Sequence, residues 1–173
     1  MNGNELIRAF QAGRTDFSRE NLEGIKLSDA HLNGIILDGA DLREADLSGA
    51  SLFSASLRGT MLNRAHLGIA HDYANDNNLD DIDIGLDCVD LAKADLTGAF
   101  LNNAHMFRAN LREANLSHAD LRGALMREVN LDGANLEDAN FSSADLTGAH
   151  VDLEMLKLAD TTGAILEDLH TRK

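Results

Sequence analysis

Ala40-Asp41-Leu42-Arg43-Glu44-Ala45-Asp46-Leu47-Ser48-Gly49-Ala50 decides the fold. Leu returns every fifth residue, and a small residue stands two positions before it. Working outward, the first run of such positions extends from Phe17 through Leu22, Leu27 and Leu32 to Leu67. A second run extends from Leu86 through Leu91, Leu96 and Met106 to Phe141, Leu146 and Val151. A period of five fits neither an amphipathic helix nor an alternating strand. Let the Leu position be i. Residues i−2 and i lie two apart on extended backbone, so both side chains point the same way. A Gly at i+2, as at Gly39 and Gly49, suits a turn with positive φ. One extended step and one turn in every five residues gives a coil that closes on itself. Successive coils then stack at about 4.8 Å and exchange backbone hydrogen bonds.

The 173 residues are 44% hydrophobic but only 4% aromatic, so Leu and Ala must build the interior. The formal net charge of −14 disfavours direct binding to nucleic acid or an anionic membrane and favours a basic partner. The single Cys88 cannot form an intrachain disulfide, and no apolar run reaches the roughly 18 residues of a membrane span. Met1 to Phe10 carries Glu5 and lacks the apolar stretch of a signal peptide, so a cytoplasmic location is expected.

The 25 candidate units resemble the pentapeptide-repeat family over residues 15–69 and 84–153. The segment Glu5-Leu6-Ile7-Arg8-Ala9-Phe10, with Ala12-Gly13 and Asp16-Phe17-Ser18, is similar to the entry segment of cyanobacterial members. The resemblance implies an all-β fold, a right-handed quadrilateral parallel β-helix with four units per coil. It also implies a non-enzymatic protein-interaction role. Some members of the family are acidic rods that mimic DNA and bind DNA gyrase. That reading is the alternative here, although those members use Phe at i more often than this chain does.

One domain, 1–173, is expected, with short helical caps at its ends. Asn4 is read as the cap of a helix through Gln11 that ends at Gly13, with Leu6, Ile7 and Phe10 covering the first coil. From 152 to 173 the pattern breaks. Leu153, Leu156 and Leu158 are read as a helical lid, and Ala164-Ile165-Leu166 as a return to the coil. The two runs stand in different registers. Between them, residues 70–83 read as an acidic loop projecting from one β-helix. A linker between two short domains is the other reading.

The loop holds oxygen donors at Asp76, Asn78 and Asp80, with Asp87 at the twelfth position of a partial calcium-loop pattern. Asp81 stands where that pattern needs Gly, and the final Glu is missing, so no metal or cofactor is assigned. A metal-responsive interaction role for this loop is the second alternative. The seven His are scattered, mostly at i−1, and only His66 and His71 are close in sequence. No zinc spacing is formed. Residues twenty apart should stack, placing Asn110 beside Asn130, Asn115 beside Asn135 and Arg112 beside Asp132.

Paired carboxylates are expected on a wet convex surface, and no phosphate loop or nucleophile–base pattern is present. The expected activity is therefore binding rather than catalysis, with one or more protein partners. The candidate contact residues are Phe100, Phe107 and Leu125, read as outward-facing neighbours, with Arg108 and Arg127 at their border. Tyr73, Asp76 and Asp80 in the loop complete the set.

Overall fold

The computed structural model describes residues 1–67 and 89–171. Isolated parallel bridges join i−1 positions on consecutive coils and sort them into four faces. Face I runs from Asp16 to Asn135, face II from Asn21 to Asp160, face III from Lys26 to Ile165 and face IV from His31 to His170. Within a run the step along a face is twenty residues, as at Asp41↔Met61. At six spacings of about 4.8 Å, face II measures about 29 Å.

The unit from Asp41 to Ala45 accounts for all five of its backbone N–H groups. Asp41 N–H donates to the coil before, at Glu20 O, while Leu42 N–H donates to the coil after, at Met61 O. Glu44 N–H also donates onward, to Asn63 O, and Ala45 N–H closes the turn on Leu42 O. The fifth, Arg43 N–H, donates to the Asp41 side chain at 3.2 Å. The same bond recurs at Asp95–Thr97, Asn130–Asp132 and Asp145–Thr147. An Asx residue at i−1 thus satisfies the one amide that the ladder cannot reach. Asp and Asn at this position are structural.

The i+2 residue has positive φ throughout, whether Gly49 at 67° or Glu44 at 58°. The coil imposes this conformation and Gly only eases it. Inside, the Leu and Ala ladders are closed to solvent, with Leu42, Ala45, Leu47 and Leu101 all at 0% exposure. Thr60 replaces an interior Ala and resolves its hydroxyl by donating to Leu37 O at 2.9 Å. The expected Asn stacks form. Asn135 Nδ2 donates to Asn115 Oδ1 at 3.1 Å, and Asn110↔Asn130 is a bridge.

The register change occurs at one corner. Val89 N–H donates to Leu67 O at 3.3 Å, the same i+3 to i turn bond found in every unit. The coil is left after Leu67 and resumed at Val89, so His66 pairs with His105 and Met61 with Phe100, 39 residues apart instead of twenty. Four such bridges, from Ser51↔Asp90 to His66↔His105, join the two runs. The acidic loop at 70–83, its partial calcium pattern, Tyr73, Asp76 and Asp80, and the unit centred on Leu86 lie outside the described residues.

Helix α1 spans Gly3–Gln11, and its N-cap is Asn2 rather than Asn4. Asn2 and Glu5, at the third helical position, form a reciprocal capping box. Gly13, at φ 97°, follows the C-cap Ala12. Leu6 is fully buried, and Ile7 and Phe10 pack partly against the core.

Helix α2, Leu153–Leu156, corrects the expected lid. It replaces one unit on face I, with Leu156 filling the i position and Met155 beside it, while Leu153 and Leu158 are exposed. The coil register resumes earlier than expected, at Asp160↔Asn140, and continues through Ile165↔Asp145 and His170↔His150. The cause is geometric. A four-residue helix spans too little width to close a four-sided end, so it fits into one side.

Candidate interaction surface

The interior is filled by buried Leu and Ala side chains, and grooves open on the faces. Most i−1 positions carry Asx or Ser. Where Ser56 replaces Asx, Asp38 one coil before accepts the Arg58 N–H at 3.1 Å and the Ser56 hydroxyl at 2.6 Å. Asn33 does the same for Phe53 N–H and Ser51.

Five neighbouring i−1 positions break the pattern together. Met61 and Phe100 are paired on face II, and His66, His105 and Leu125 follow one another on face III. Phe100 is 46% exposed, while Met61 and Leu125 are half-buried. The two faces meet at the edge carrying Arg64 and Asn103. This makes one contiguous patch across an edge of the rod, at its middle.

The sequence-derived cluster is redistributed by this geometry. Phe100 and Leu125 belong to the patch, on adjoining faces. Phe107 does not: it is 2% exposed, a correction to the outward reading of an i+1 position. It sits at the corner between faces III and IV, on the coil after the one broken at Leu67. The Arg108 guanidinium lies 4.9 Å from its ring centroid and covers it. Arg108 Nε donates to Glu128 at 2.6 Å, and its Nη1 is buried without a hydrogen-bond partner. Arg127 is more open, 4.0 Å from Asp145. Met61 is legible in the sequence as an outward-facing apolar residue, whereas His66 and His105 are not legible there as contact residues. Their signal was the missing Asx at consecutive i−1 positions.

Ion pairs lace the rest of the surface from coil to coil. Arg64 meets Glu44 at 3.7 Å, Lys93 meets Glu113 at 3.6 Å and Arg43 meets Glu23 at 3.4 Å. Arg112 and Asp132 lie on adjacent rungs, as their backbone bonds to Lys93 and Glu113 require. Hydrogen bonds from Arg43 and Arg122 hold Asp41 and Asp120 below the ordinary carboxylate range. These shifts follow first from the guanidinium bonds and only secondarily from the Asx turn, and they mark no acid–base pair.

The imidazoles of His66 and His105 pack edge to face, with ring centroids 5.1 Å apart and an interplanar angle of 80°. Nδ1 of His66 is buried and lacks a hydrogen-bond partner. Such a group costs on the order of 1–3 kcal/mol when left unmet. Burial, and then the neighbouring His66, push the His105 imidazole below its ordinary pKa. Glu44, Arg64 and Asn103 line the groove beside the pair. A second pair, His150 and His170, stacks at 4.6 Å and 34° near the other end of face IV.

The profile of the pentapeptide repeats matches residues 21–59, 37–68, 86–123 and 114–151, which together cover more than half of the chain. The chain belongs to the pentapeptide-repeat family. Its fold is the family's right-handed quadrilateral β-helix.

Among solved pentapeptide-repeat structures, a trypsin-treated form of QnrB1, a plasmid-mediated fluoroquinolone resistance protein, is similar with a TM-score of 0.69. It is 15% identical, over 90% of this chain and 72% of that one. HetL, a pentapeptide-repeat protein involved in heterocyst differentiation regulation in the cyanobacterium Nostoc, is 27% identical over 98% of this chain and 94% of that one, at a TM-score of 0.25. A second Nostoc pentapeptide-repeat protein is 28% identical over 99% and 96%, at a TM-score of 0.34. The search of curated proteins found no match. Among the described residues, no helix is long and apolar enough to cross a membrane.

Proposed function

We propose that this pentapeptide-repeat protein is a non-catalytic interaction rod that engages a protein partner through the edge between faces II and III. The patch of Met61, His66, Phe100, His105 and Leu125 carries this reading. Asx or Ser fills most other i−1 positions, whereas here apolar and aromatic groups stand side by side across one edge. Large exposed aromatics beside cations are the usual anchors of protein contacts, and Arg64 stands at the same edge. A photo-crosslinking residue at position 100 of the full chain tests it, against the same residue at Thr97 on face I. Discrete adducts in host lysate from position 100 alone are expected. Identical adduct patterns from both positions overturn the assignment.

Mimicry of DNA toward gyrase or another basic DNA-binding protein is a second reading, favoured by the net charge of −14. Six Asp of residues 68–88 and no Lys or Arg fall in the segment between the runs. Arg172 and Lys173 also lie outside the described residues, which therefore carry a net charge of −10. Duplex DNA, at one charge per roughly 1.7 Å, carries about 17 over the 29 Å of the rod. The shortfall ranks mimicry second. A supercoiling assay with gyrase decides it: inhibition at micromolar protein supports mimicry, and unchanged supercoiling removes it.

A further inference from the structure

We propose, building on the assignment of this edge as the contact surface, that the His66–His105 pair gates it by pH. With both rings neutral they pack together and complete the patch; in acid they separate, charge the patch and release the partner. The pair is made by the 39-residue coil, which sets His66↔His105 as a parallel bridge on face III. Its rungs are fixed, since His66 N–H donates to Ala45 O at 2.8 Å and His105 N–H to Ala65 O at 3.0 Å. The rings meet edge to face at 5.1 Å, and in that position His66 Nδ1 is buried with no hydrogen-bond partner. A neutral ring protonated at Nε2 leaves only an unused lone pair there. An imidazolium carries N–H on both nitrogens, so its Nδ1–H would be a buried, charged donor with no acceptor. That costs far more than an unmet lone pair. A charged His66 ring must therefore turn out to water, and the edge-to-face contact is lost. His105 also resists charge where it is packed: burial first, and then His66, hold its pKa below the ordinary imidazole value.

The neighbouring charges largely offset one another. Asp46, one rung before His66 on face III, favours a charged ring, but it already accepts from Ser28 Oγ and Ser48 N–H. Glu44 and Arg64 line the groove beside the rings, 3.7 Å apart and opposite in sign. Leu125, one rung after His105, is uncharged. At the other edge of the face Arg108 pairs with Glu128 at 2.6 Å, and Arg127 lies 4.0 Å from Asp145. A charged ring turned outward stands beside Phe100 and Leu125, where an apolar partner surface would have to bury it. Contact and protonation therefore exclude each other. A partner that accepts only the uncharged pair loses about 10-fold in affinity for each pH unit below the midpoint.

NMR of the purified full chain from about pH 8 to about pH 5 tests the gate without a partner. The Phe100 ring and Leu125 methyl signals should move together with the imidazole signals of His66 and His105. His150 and His170, whose rings stack at 4.6 Å near the other end of face IV, should titrate without moving them. The wild-type titration stands even where a variant fails to fold. The contact is read with the photo-crosslinking residue at position 100. Adduct yield at limiting lysate should fall about 10-fold from about pH 7.5 to about pH 5.5 in the otherwise wild-type chain. It should stay level in the double variant His66→Gln, His105→Gln. Phe100 and Leu125 signals that stay still while the two imidazoles titrate, equal adduct yields at both pH values, or an equal fall in the double variant would each overturn the gate and leave the contact edge standing. Absence of adducts at both pH values would overturn the contact edge, and the gate with it.

Discussion

Gly3→Ala provides a test in which two effects of opposite sign compete. In a free helix Ala is favoured over Gly by about 0.8–1.0 kcal/mol, so helix α1 considered alone predicts stabilisation. In the folded chain a Cβ at Gly3 would stand 1.9 Å from Lys26 O and 3.0 Å from Lys26 C. Both are backbone atoms of the first coil, held by Leu27 N–H to Asp46 O and its neighbours, so they cannot step aside. An ordinary contact needs about 3.4 Å, and α1 must therefore retreat by more than about 1 Å. A gap of 0.5–1 Å forfeits a quarter to a half of the dispersion well. Leu6, fully buried beneath the helix, loses part of a burial worth about 1.5–3 kcal/mol, and Ile7 and Phe10 lose some of theirs. The expected net result is destabilisation by about 1–2 kcal/mol, at the lower end of overpacking costs. Urea unfolding followed by far-UV circular dichroism measures it. Gly13→Ala is the control: it has open space around the new Cβ but a φ of 97°, so it reports strain without a clash. A Gly3→Ala variant as stable as wild type, or more so, would refute docking of α1 on the first coil.

Other outcomes follow from the interior and the ladders. Leu101→Ala, at a site with no exposure, should cost about 2.7–5 kcal/mol because neighbouring rungs cannot collapse into the gap, as read by thermal melting. Asn115→Asp should remove the donor that meets Thr97 Oγ1 at 2.9 Å and set a carboxylate one rung from Asp95. Repulsion across about 4.8 Å then costs about 1–3 kcal/mol at pH 7 and falls away near pH 3, as urea titrations at the two pH values will show. Asp41 and Asp120 have folded pKa values below the unfolded value. Their contribution is present above about pH 4 and is lost as pH falls through the folded pKa. Arg43→Ala and Arg122→Ala should therefore each narrow the stability gap between pH 7 and pH 2, by a small amount because solvent screens these exposed pairs.

The interior was legible because it obeys one local rule. Leu at i and Ala at i−2 need no knowledge of distant residues, and a fixed step of twenty then places Asn115 beside Asn135. Two kinds of fact escaped that rule. His66 and His105 meet through a step of 39, and nothing within either run reveals which corner absorbs the difference. Phe107 is buried because of its corner: it lies one coil beyond the break, under Arg108, where position within the unit no longer determines exposure. The role of Asp and Asn at i−1 was legible as polarity, but its purpose as acceptor for the i+1 amide required the backbone bonds. The start of α1 shifted from Asn4 to Asn2 because the capping box pairs Asn2 with Glu5, and both residues were open to view.

The single-corner break has a mechanical consequence. Each coil is bonded only to its neighbours, so tension applied at the two ends should peel the rod from a terminus, one turn at a time. A turn of twenty residues frees at most about 66–72 Å of extended chain. The turn that carries His66 to His105 spans 39 residues, and it would pay out nearly twice that length. A force–extension trace would then carry a ruler mark, one long step among short ones, at a known distance from each end.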